Sequence, residues 1–416
     1  MKRYFSIALI TLFFLTLISC ASNHTAHLNT GYTQETWMAG VEKDPSKWLS
    51  GSDAWFMNGN PYVQTQYNAT YASAMSNMSV SVPNFTNVRT KGNFQVQIYG
   101  AQGSNSVTVY GPNNAVRATK VQVIGNTLCV EQAEKAPSNM RQVIVRIAIG
   151  QLNSLVQLGD GPVEGIRLFS NGLKVVSAGC GNVYLSGNLN VHSITSTNQG
   201  SITIFGVNTS QLDIKTTGAG CVKVSGNISL RTIAHKGKAS GDISVIGANG
   251  NCETHIFAEG RGKISINGRV NIREIRASGR TCVYAYPVNS ANLYVYTSGS
   301  AKVGLAGGAT NLFADTSDSS LFYGRYLCVR DAYVRAHDWS HVNVTATNKI
   351  FAAATQNSSI YFFGSPEIMS QFVSSNGVVI PVWMSGMRSC VTPAYRAYVF
   401  KGAKQSIPVV RRGYKN

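Results

Sequence analysis

The chain repeats one short pattern of apolar and polar positions over half of its length. Each repeat runs from a small residue and a glycine, through apolar residues at alternate positions, to a closing glycine, and its first apolar residue recurs every 18 to 21 residues. These first apolar residues are Val183, Ile202, Val222, Ile243, Ile264, Val283, Val303, Leu321, Val342 and Ile360. A fixed period of this length is typical of units that must stack on their neighbours to bury an apolar face. The pattern therefore predicts a repeat architecture.

Alternation within each repeat predicts short strands with one buried face. Apolar and polar residues alternate at 243–245 and 264–266, and a second strand pattern follows in each repeat, as at 293–295. Glycines precede many strands, and we expect positive φ angles at the equivalent positions Gly220, Gly241 and Gly262.

Stacking of these units predicts an all-β, right-handed parallel β-solenoid of about ten turns of roughly 20 residues, on the order of 45 to 50 Å long. An antiparallel sandwich would also suit short strands separated by turns, but it gives no reason for one glycine phase to recur. The sequence divides into a signal peptide (1–19), a tether (20–84), an N-terminal β cap (85–150), a parallel β-helix (151–375) and a basic C-terminal segment (376–416).

Two of the repeats carry a family resemblance. The segments 239–247 and 260–268, together with the apolar and polar pattern at 85–98, 106–111 and 126–130, resemble the putative auto-transporter adhesin head GIN domain family. The resemblance covers roughly residues 85 to 365. It implies a β-solenoid exported to the cell envelope, often on a lipid anchor, and it carries over no catalytic residue.

The N-terminus predicts export. Lys2 and Arg3 precede an apolar run from Ile7 to Ile18 that is well short of the roughly 20 residues a membrane-spanning helix needs. The run ends in Leu-Ile-Ser-Cys, which resembles the signal of bacterial lipoproteins and makes Cys20 the predicted lipidation site. By analogy with lipoprotein sorting, Ala21 after the cysteine favours the outer membrane. Diacylation would supply enough chains for stable anchoring.

The formal net charge of +18 favours acidic partners, namely acidic polysaccharide or lipopolysaccharide phosphates, with nucleic acid the least expected. A protein partner is also compatible with the aromatic content. Seven basic residues and no acidic one follow Pro381, interleaved with tyrosines. The candidate ligand contacts in this tail are Arg388, Tyr395, Arg396, Tyr398, Lys401, Lys404, Arg411 and Arg412.

Side chains with catalytic or metal-binding chemistry are scattered. His337 and His341 have the spacing of helical metal ligands but precede a strand, so no metal is expected, and no cofactor motif occurs. Asp315 and Asp318 are the nearest candidates for a catalytic pair of carboxylates. The simpler interpretation is that both lie at corners and hydrogen-bond to their own backbone. After Cys20 an odd number of cysteines remains, which argues against a closed disulfide framework, and Cys221 and Cys282 stand too many turns apart to pair.

Aromatic residues crowd the later repeats, and alternation predicts that several face solvent, where they could stack on sugars or contact a protein. They are Tyr284, Tyr286, Tyr294, Tyr296, Phe322, Tyr323, Tyr326, Tyr333, Tyr361 and Phe362. The sequence thus predicts a non-catalytic, lipid-anchored envelope protein with an adhesive, surface-binding or structural role. The alternative is a carbohydrate-active β-helix enzyme, a polysaccharide lyase or hydrolase, which would need stacked carboxylates in a groove.

Overall fold

The computed structural model describes residues 75–197 and 199–382 of the 416-residue chain, and of Lys238 the backbone alone. The elements of the first part are β1 (Met75–Val80), β2 (Asn87–Lys91), β3 (Gln95–Gly100), β4 (Ser106–Pro112), α1 (Asn113–Arg117), β5 (Thr119–Ile124), β6 (Thr127–Gln132), a 3-10 helix (Ser138–Gln142), β7 (Ile144–Ile149) and β8 (Ser154–Gln157). The longer strands follow: β9 (Val163–Ser177), β10 (Val183–Ser196), β11 (Ile202–Thr216), β12 (Val222–Ala277), β13 (Arg280–Thr297), β14 (Lys302–Thr316), β15 (Leu321–Ala336), β16 (His341–Thr355), β17 (Ser359–Phe363), β18 (Ile368–Ser374) and β19 (Val378–Val382).

Each long strand forms one turn of the solenoid, except that β12 continues through several turns. Successive strands from β8 to β17 pair in parallel, and beyond them β18 pairs in parallel with β16 and β19 with β17. In β14, bends divide the turn into an A face (302–305), a B face (307–309) and a C face (311–316), and the same names apply to the paired segments of other turns. The prediction of an all-β parallel solenoid is confirmed, with about 12 turns instead of ten.

The core consists of columns of apolar side chains that point inward from each face. The predicted column on the A face is buried at nine of its ten positions. The exception is Leu321, because Val303 pairs with Phe322 in the next turn and Phe322 pairs with Val342. Phe322 is fully buried and Phe362 is 4% exposed, so these two rings are not among the aromatic side chains that face solvent. Both rings fill the core that the alternation creates.

Antiparallel pairing occurs near the N-terminus, in a region called the cap from here on. Strand β4 lies between β1 and β7, and β5 forms a hairpin with β6. Within the same region β2 pairs in parallel with β8, and β3 pairs in parallel with β9. The cap and the first solenoid turn therefore interleave, so the antiparallel strands cover strand edges at this end.

Corner glycines only partly follow the prediction. Gly262 has a φ of +147°, whereas Gly220 and Gly241 are absent from the left-handed region. At Gly241 glycine is required by a close approach instead, since a Cβ there would lie 2.8 Å from the carbonyl oxygen of Gly218. The expectation of positive φ was thus wrong at two of the three positions, because stacked corners pack backbone directly on backbone.

The C-terminal end of the described solenoid is apolar and open. Ile368, Met369, Phe372 and Val373 of β18 are 46 to 61% exposed, and Val378 of β19 is 42% exposed. Within residues 75–197 and 199–382 no helix is long and apolar enough to cross a membrane.

Candidate binding surface

An aromatic ladder runs along the C face. Tyr294, Phe313, Tyr333 and Phe351 occupy one outward position in four successive turns. Their ring centroids are 4.9, 4.9 and 5.0 Å apart, with interplanar angles of 9°, 6° and 5°. The spacing equals that of neighbouring strands, so the backbone register itself stacks the rings.

The stacking limits what the aromatic ladder can bind. Phe313 and Tyr333 have a ring on both faces, and the guanidinium of Arg273 lies 5.0 Å from the centroid of Tyr294 at one end. A sugar needs an open ring face to stack on, and inside the ladder only ring edges and the tyrosine hydroxyls face solvent. The aromatic ladder is therefore a rigid wall beside a site.

An axial groove lies next to this wall, where the C face meets the following corner. It consists of two adjoining depressions of about 360 Å³ each, which share Arg276 and Ser278. Its lining includes Lys215, Lys236, Phe257, Glu259, Arg276, Ser278, Tyr296, Ser298, Asp315 and Ser317. These residues belong to six successive turns, which together span about 24 Å along the solenoid axis.

The charges of the axial groove are largely paired. The Nζ atom of Lys236 lies 3.2 Å from Oε2 of Glu259, and Nε of Arg276 donates a hydrogen bond of 2.6 Å to Glu274. Arg276 also places its guanidinium 5.2 Å from the centroid of the Tyr296 ring. Lys215 has no ion-pair partner among the residues that the structure describes. The groove thus offers one unpaired cation, two rings that are 37 and 40% exposed at Phe257 and Tyr296, and serine hydroxyls.

Carboxylates do not form a catalytic pair in the axial groove. Glu259 and Asp315 stand three turns apart, or about 14 Å, which exceeds the roughly 5 to 9.5 Å of glycosidase carboxylates. Asp315 instead pairs with His337, whose Nε2 lies 3.4 Å away, so the corner interpretation was wrong for this residue.

Asp318 lies at a corner, as expected, with a φ of 57°. Its Oδ2 accepts a hydrogen bond of 2.7 Å from the amide of Gly299 in the preceding turn, and Asp338 accepts one from the amide of Asp318. The carboxylates of Asp318 and Asp338 thus hydrogen-bond to backbone amides of the preceding turn and hold successive turns together.

A third carboxylate, Glu164, lies on the A face. Register places it between Gln97 and Tyr184, and burial raises its pKa. Burial and the nearby Glu164 also raise the pKa of Tyr184. The Oε1 atom of Gln97 accepts hydrogen bonds from Tyr99 at 3.0 Å and from Arg146 at 3.3 Å. The cluster is a polar contact between the cap and the first turns.

The two histidines that have the spacing of helical metal ligands make separate contacts. Nδ1 of His337 lies 3.0 Å from Thr355, and Nδ1 of His341 lies 2.7 Å from Ser359. Across the described ranges, no group of three or more His, Cys, Asp or Glu side chains could hold a metal ion.

Some of the predicted site residues fall outside the described part of the chain. These are Cys20 and the tail residues Arg388, Tyr395, Arg396, Tyr398, Lys401, Lys404, Arg411 and Arg412. Tyr294, Tyr296 and Tyr333 lie on the outer surface as predicted. Phe257, Phe313 and Phe351 were missed, although aligning the repeats on their second strand would have placed all three outward.

Six cysteines lie within the described residues. Cys328 is disulfide-bonded, whereas Cys129, Cys180, Cys221 and Cys252 are free thiols. The expectation that Cys221 and Cys282 do not pair with each other is confirmed.

The fold and this surface define a parallel β-solenoid with an elongated side groove, the form of a surface-binding protein. The chain belongs to the family described as "Putative auto-transporter adhesin, head GIN domain", whose model matches residues 84–249 and 254–366. The resemblance seen in the repeats is thus confirmed, and family and fold together support a surface-binding role.

Comparison with solved structures finds distant resemblances. One is a putative adhesin from Bacteroides fragilis NCTC 9343, with 15% identity, a TM-score of 0.22 and coverage of 75% of this chain and 98% of that chain. Another is a putative lipid binding protein from Parabacteroides distasonis ATCC 8503, with 12% identity, a TM-score of 0.25 and the same coverage. Similarity this low carries no argument about the present chain. No curated protein matches it.

Proposed function

We propose that this chain is a lipid-anchored, non-catalytic protein of the bacterial outer membrane that binds an extended acidic polysaccharide along the axial groove. The observation that carries the proposal is the groove itself, which crosses six turns beside the aromatic ladder. Family membership supports the coarser role in surface binding at the cell envelope.

The lining of the axial groove fits a sugar polymer. Phe257 and Tyr296 are partly exposed rings outside the stacked ladder. The guanidinium of Arg276 lies over one face of Tyr296, so a sugar would stack on the other face of this ring and on Phe257. Ser278, Ser298 and Ser317 offer one hydroxyl per turn for hydrogen bonds to sugar hydroxyls. Lys215 supplies a cation for a carboxylate of the polymer.

The separation of Glu259 from Asp315 supports the non-catalytic part of the proposal. A polysaccharide hydrolase needs two carboxylates within about 10 Å across one glycosidic bond. The carboxylates of the axial groove stand farther apart, with Glu259 in an ion pair with Lys236 and Asp315 beside the imidazole of His337.

A retention experiment tests the ligand. We expect the chain with Cys20→Ser to be retarded in gels that contain polygalacturonate and to migrate freely in gels with dextran. The double variant Phe257→Ala, Tyr296→Ala should bind about tenfold more weakly, because each aromatic contact contributes roughly 0.5 to 1.5 kcal/mol. Phe169→Ala removes a ring that is 43% exposed outside the groove and serves as the control.

Several outcomes would contradict the proposal. Equal retardation of the double variant and the wild type would exclude the axial groove as the site. Binding to lipopolysaccharide or a protein but not to the acidic polymer would exclude the ligand class. New reducing or unsaturated sugar ends in the incubated polymer would show that the protein is an enzyme.

The basic tail is expected to strengthen the same interaction. Deleting residues 402–416 removes Lys404, Arg411, Arg412 and Lys415. Retention should weaken most at low salt, because the screening length falls to about 8 Å at physiological ionic strength. Equal retention with and without the segment across a salt series would leave the tail without a binding role.

The anchor has its own test. Cys20→Ser should release the protein from membranes and abolish labelling by a palmitate analogue, since the thiol that carries the lipid is gone. Cys180→Ser, which removes an exposed free thiol, is the control. Labelling that persists in the Cys20 variant would contradict lipid anchoring.

A further inference from the structure

One corner position of the solenoid repeats the same backbone conformation in five successive turns. It follows the end of the C face by two residues, and the register between turns identifies its occupants. All of them have φ angles between 57° and 76°, in the left-handed region. The occupants are Gly279, Gly299, Asp318, Asp338 and Gln356.

In the later turns of this column, a side chain of the next turn accepts a hydrogen bond from the corner amide. The amide of Gly299 donates to Oδ2 of Asp318 at 2.7 Å, and the amide of Asp318 donates to Oδ2 of Asp338 at 3.1 Å. One turn further on, Oε1 of Gln356 accepts from the amide of Asp338 at 2.7 Å. The acceptor is a carboxylate in two of these three contacts, so the corner amide is a place that binds a carboxylate within the protein itself.

The amide of Gly279 has no such acceptor and is called the open amide below. Position 299 would have to supply the acceptor, but it is a glycine. Among the residues that the structure describes, none accepts a hydrogen bond from the open amide. A Cβ on Gly299 would lie 3.0 Å from the nitrogen of Gly279. The space of the missing side chain therefore lies directly over the open amide, and Gly279 is exposed to solvent.

Two arginines stand beside the open amide. Arg280 follows Gly279 directly, and the register pairs it with Arg261 in the preceding turn. Both are exposed, and neither belongs to an ion pair within the described ranges. The equivalent residues beside the three filled amides are uncharged, namely Ser300, Ser319 and Trp339. The solenoid thus carries arginine at the corner where it supplies no carboxylate of its own.

The open amide borders the axial groove. Ser278 and Ser298 line the groove, and each directly precedes a corner glycine of this column. A polymer in the groove would therefore pass beside the open amide and Arg280. A carboxylate on that polymer could accept a hydrogen bond from both groups, and hydrogen bonds to ionised groups are about twice as strong as neutral ones. A neutral sugar would form no such bond.

We propose that the open amide and the guanidinium of Arg280 form a carboxylate-binding site that takes a uronate group of the polysaccharide. The inference rests on the proposed function and names the part of the surface that distinguishes an acidic polymer from a neutral one. The ligand carboxylate occupies the place that Asp318 takes over the amide of Gly299. Backbone N–H groups in turns of this kind form concavities that bind anions.

Filling the site from within the chain tests the proposal. Gly299→Asp supplies the missing side chain, and the same left-handed backbone already holds aspartate at positions 318 and 338. In titrations followed by saturation-transfer NMR, this variant should bind galacturonate about tenfold more weakly than the wild type, because its own carboxylate occupies the open amide. Gly308→Asp adds the same charge on the B face, where a Cβ meets nothing nearer than 3.8 Å, and should bind as the wild type does.

Arg280→Gln tests the site without a change at a glycine. The variant removes an exposed cation and should also bind galacturonate about tenfold more weakly. The control Arg141→Gln removes an exposed arginine from the 3-10 helix of the cap and should leave the affinity unchanged. Equal affinity for galacturonate in the wild type, Gly299→Asp and Arg280→Gln would overturn the site. Equal affinity of the wild type for galacturonate and galactose would overturn it as well.

Retention on polygalacturonate separates this inference from the proposed function. If Gly299→Asp weakens galacturonate binding while polygalacturonate fails to retard the wild type, the carboxylate site stands and the proposed polymer is wrong. If the polymer retards the wild type and Gly299→Asp equally, and the double variant of Phe257 and Tyr296 less, the axial groove stands and the carboxylate site is wrong. A wild type that binds no galacturonate also overturns the site.

Discussion

Gly307 and Gly308 are neighbours at one corner of β14, yet their backbones differ. Gly307 has a φ of +137°, and a Cβ on it would collide with the carbonyl oxygen of Val288 in the turn below. A Cβ on Gly308 would meet nothing nearer than 3.8 Å, and its φ lies outside the left-handed region. The backbone therefore requires glycine at position 307 but not at position 308.

We expect Gly307→Ala to lower the free energy of unfolding by about 1 to 3 kcal/mol, the range of backbone strain at a position that disfavours a side chain. Gly308→Ala should change it by less than about 0.5 kcal/mol. Urea unfolding followed by circular dichroism measures both. Similar losses in the two variants would contradict the assignment of strain to Gly307.

His341 predicts a pH dependence of stability. Burial lowers the pKa of its imidazole, and the hydrogen bond with Asn343 opposes that shift. A lowered folded-state pKa means that the unfolded chain binds the proton more readily, so this contribution is present above about pH 6.5 and declines as the pH falls toward the folded pKa. Replacing His341 with Gln should reduce the change in the unfolding midpoint between pH 7.5 and pH 5.5. An unchanged pH profile in the variant would exclude His341 as the source.

At the scale of elements, the aromatic ladder links four strands through side chains as well as hydrogen bonds. Phe313 contacts a ring on each side, whereas Phe351 contacts one ring of the ladder. Stacked aromatic pairs contribute roughly 0.5 to 1.5 kcal/mol each beyond area burial. The ladder therefore stiffens the wall of the axial groove.

Phe313→Ala should reduce the unfolding free energy by about twice the loss in Phe351→Ala, since two ring contacts are lost instead of one. A double-mutant cycle between Phe313 and Tyr333 should give a coupling of about 1 kcal/mol. Additive effects of the two substitutions would show that the rings are near one another without stabilising the fold.

Strand patterns at this scale were predictable because alternation is a local property. The prediction failed at Leu321, where Leu321, Phe322 and Tyr323 are consecutive large apolar residues and the sequence cannot say which faces inward. The sequence predicted two of the four members of the aromatic ladder, Tyr294 and Tyr333. Its closed ring faces and the adjoining groove depend on register between turns and on side-chain conformation, which no single repeat contains.

For the whole molecule, the two ends of the described solenoid differ. The antiparallel pairs β1–β4 and β5–β6 lie at the N-terminal end, while the apolar side chains of β18 are exposed. Each turn of a solenoid is stabilised mainly by its neighbours, and within the described part of the chain the last turn has a neighbour on one side only. Opening should therefore begin at the C-terminal end.

Hydrogen exchange followed by mass spectrometry checks this expectation. Amides of β18 and β19 should exchange faster than those of β13 and β14, and β3 should resemble the middle turns. Exchange at equal rates along the whole solenoid would indicate cooperative unfolding instead.

The parallel register of successive turns has a further consequence for how such a chain can change in evolution. Because each turn repeats the hydrogen bonds of the one before, duplication of one full turn between β13 and β14 would lengthen the molecule by about 4.8 Å and leave every other contact in place. Insertion of a single residue within a strand would instead move each following side chain of that strand to the opposite face. The length of the solenoid can therefore change only in steps of one full turn.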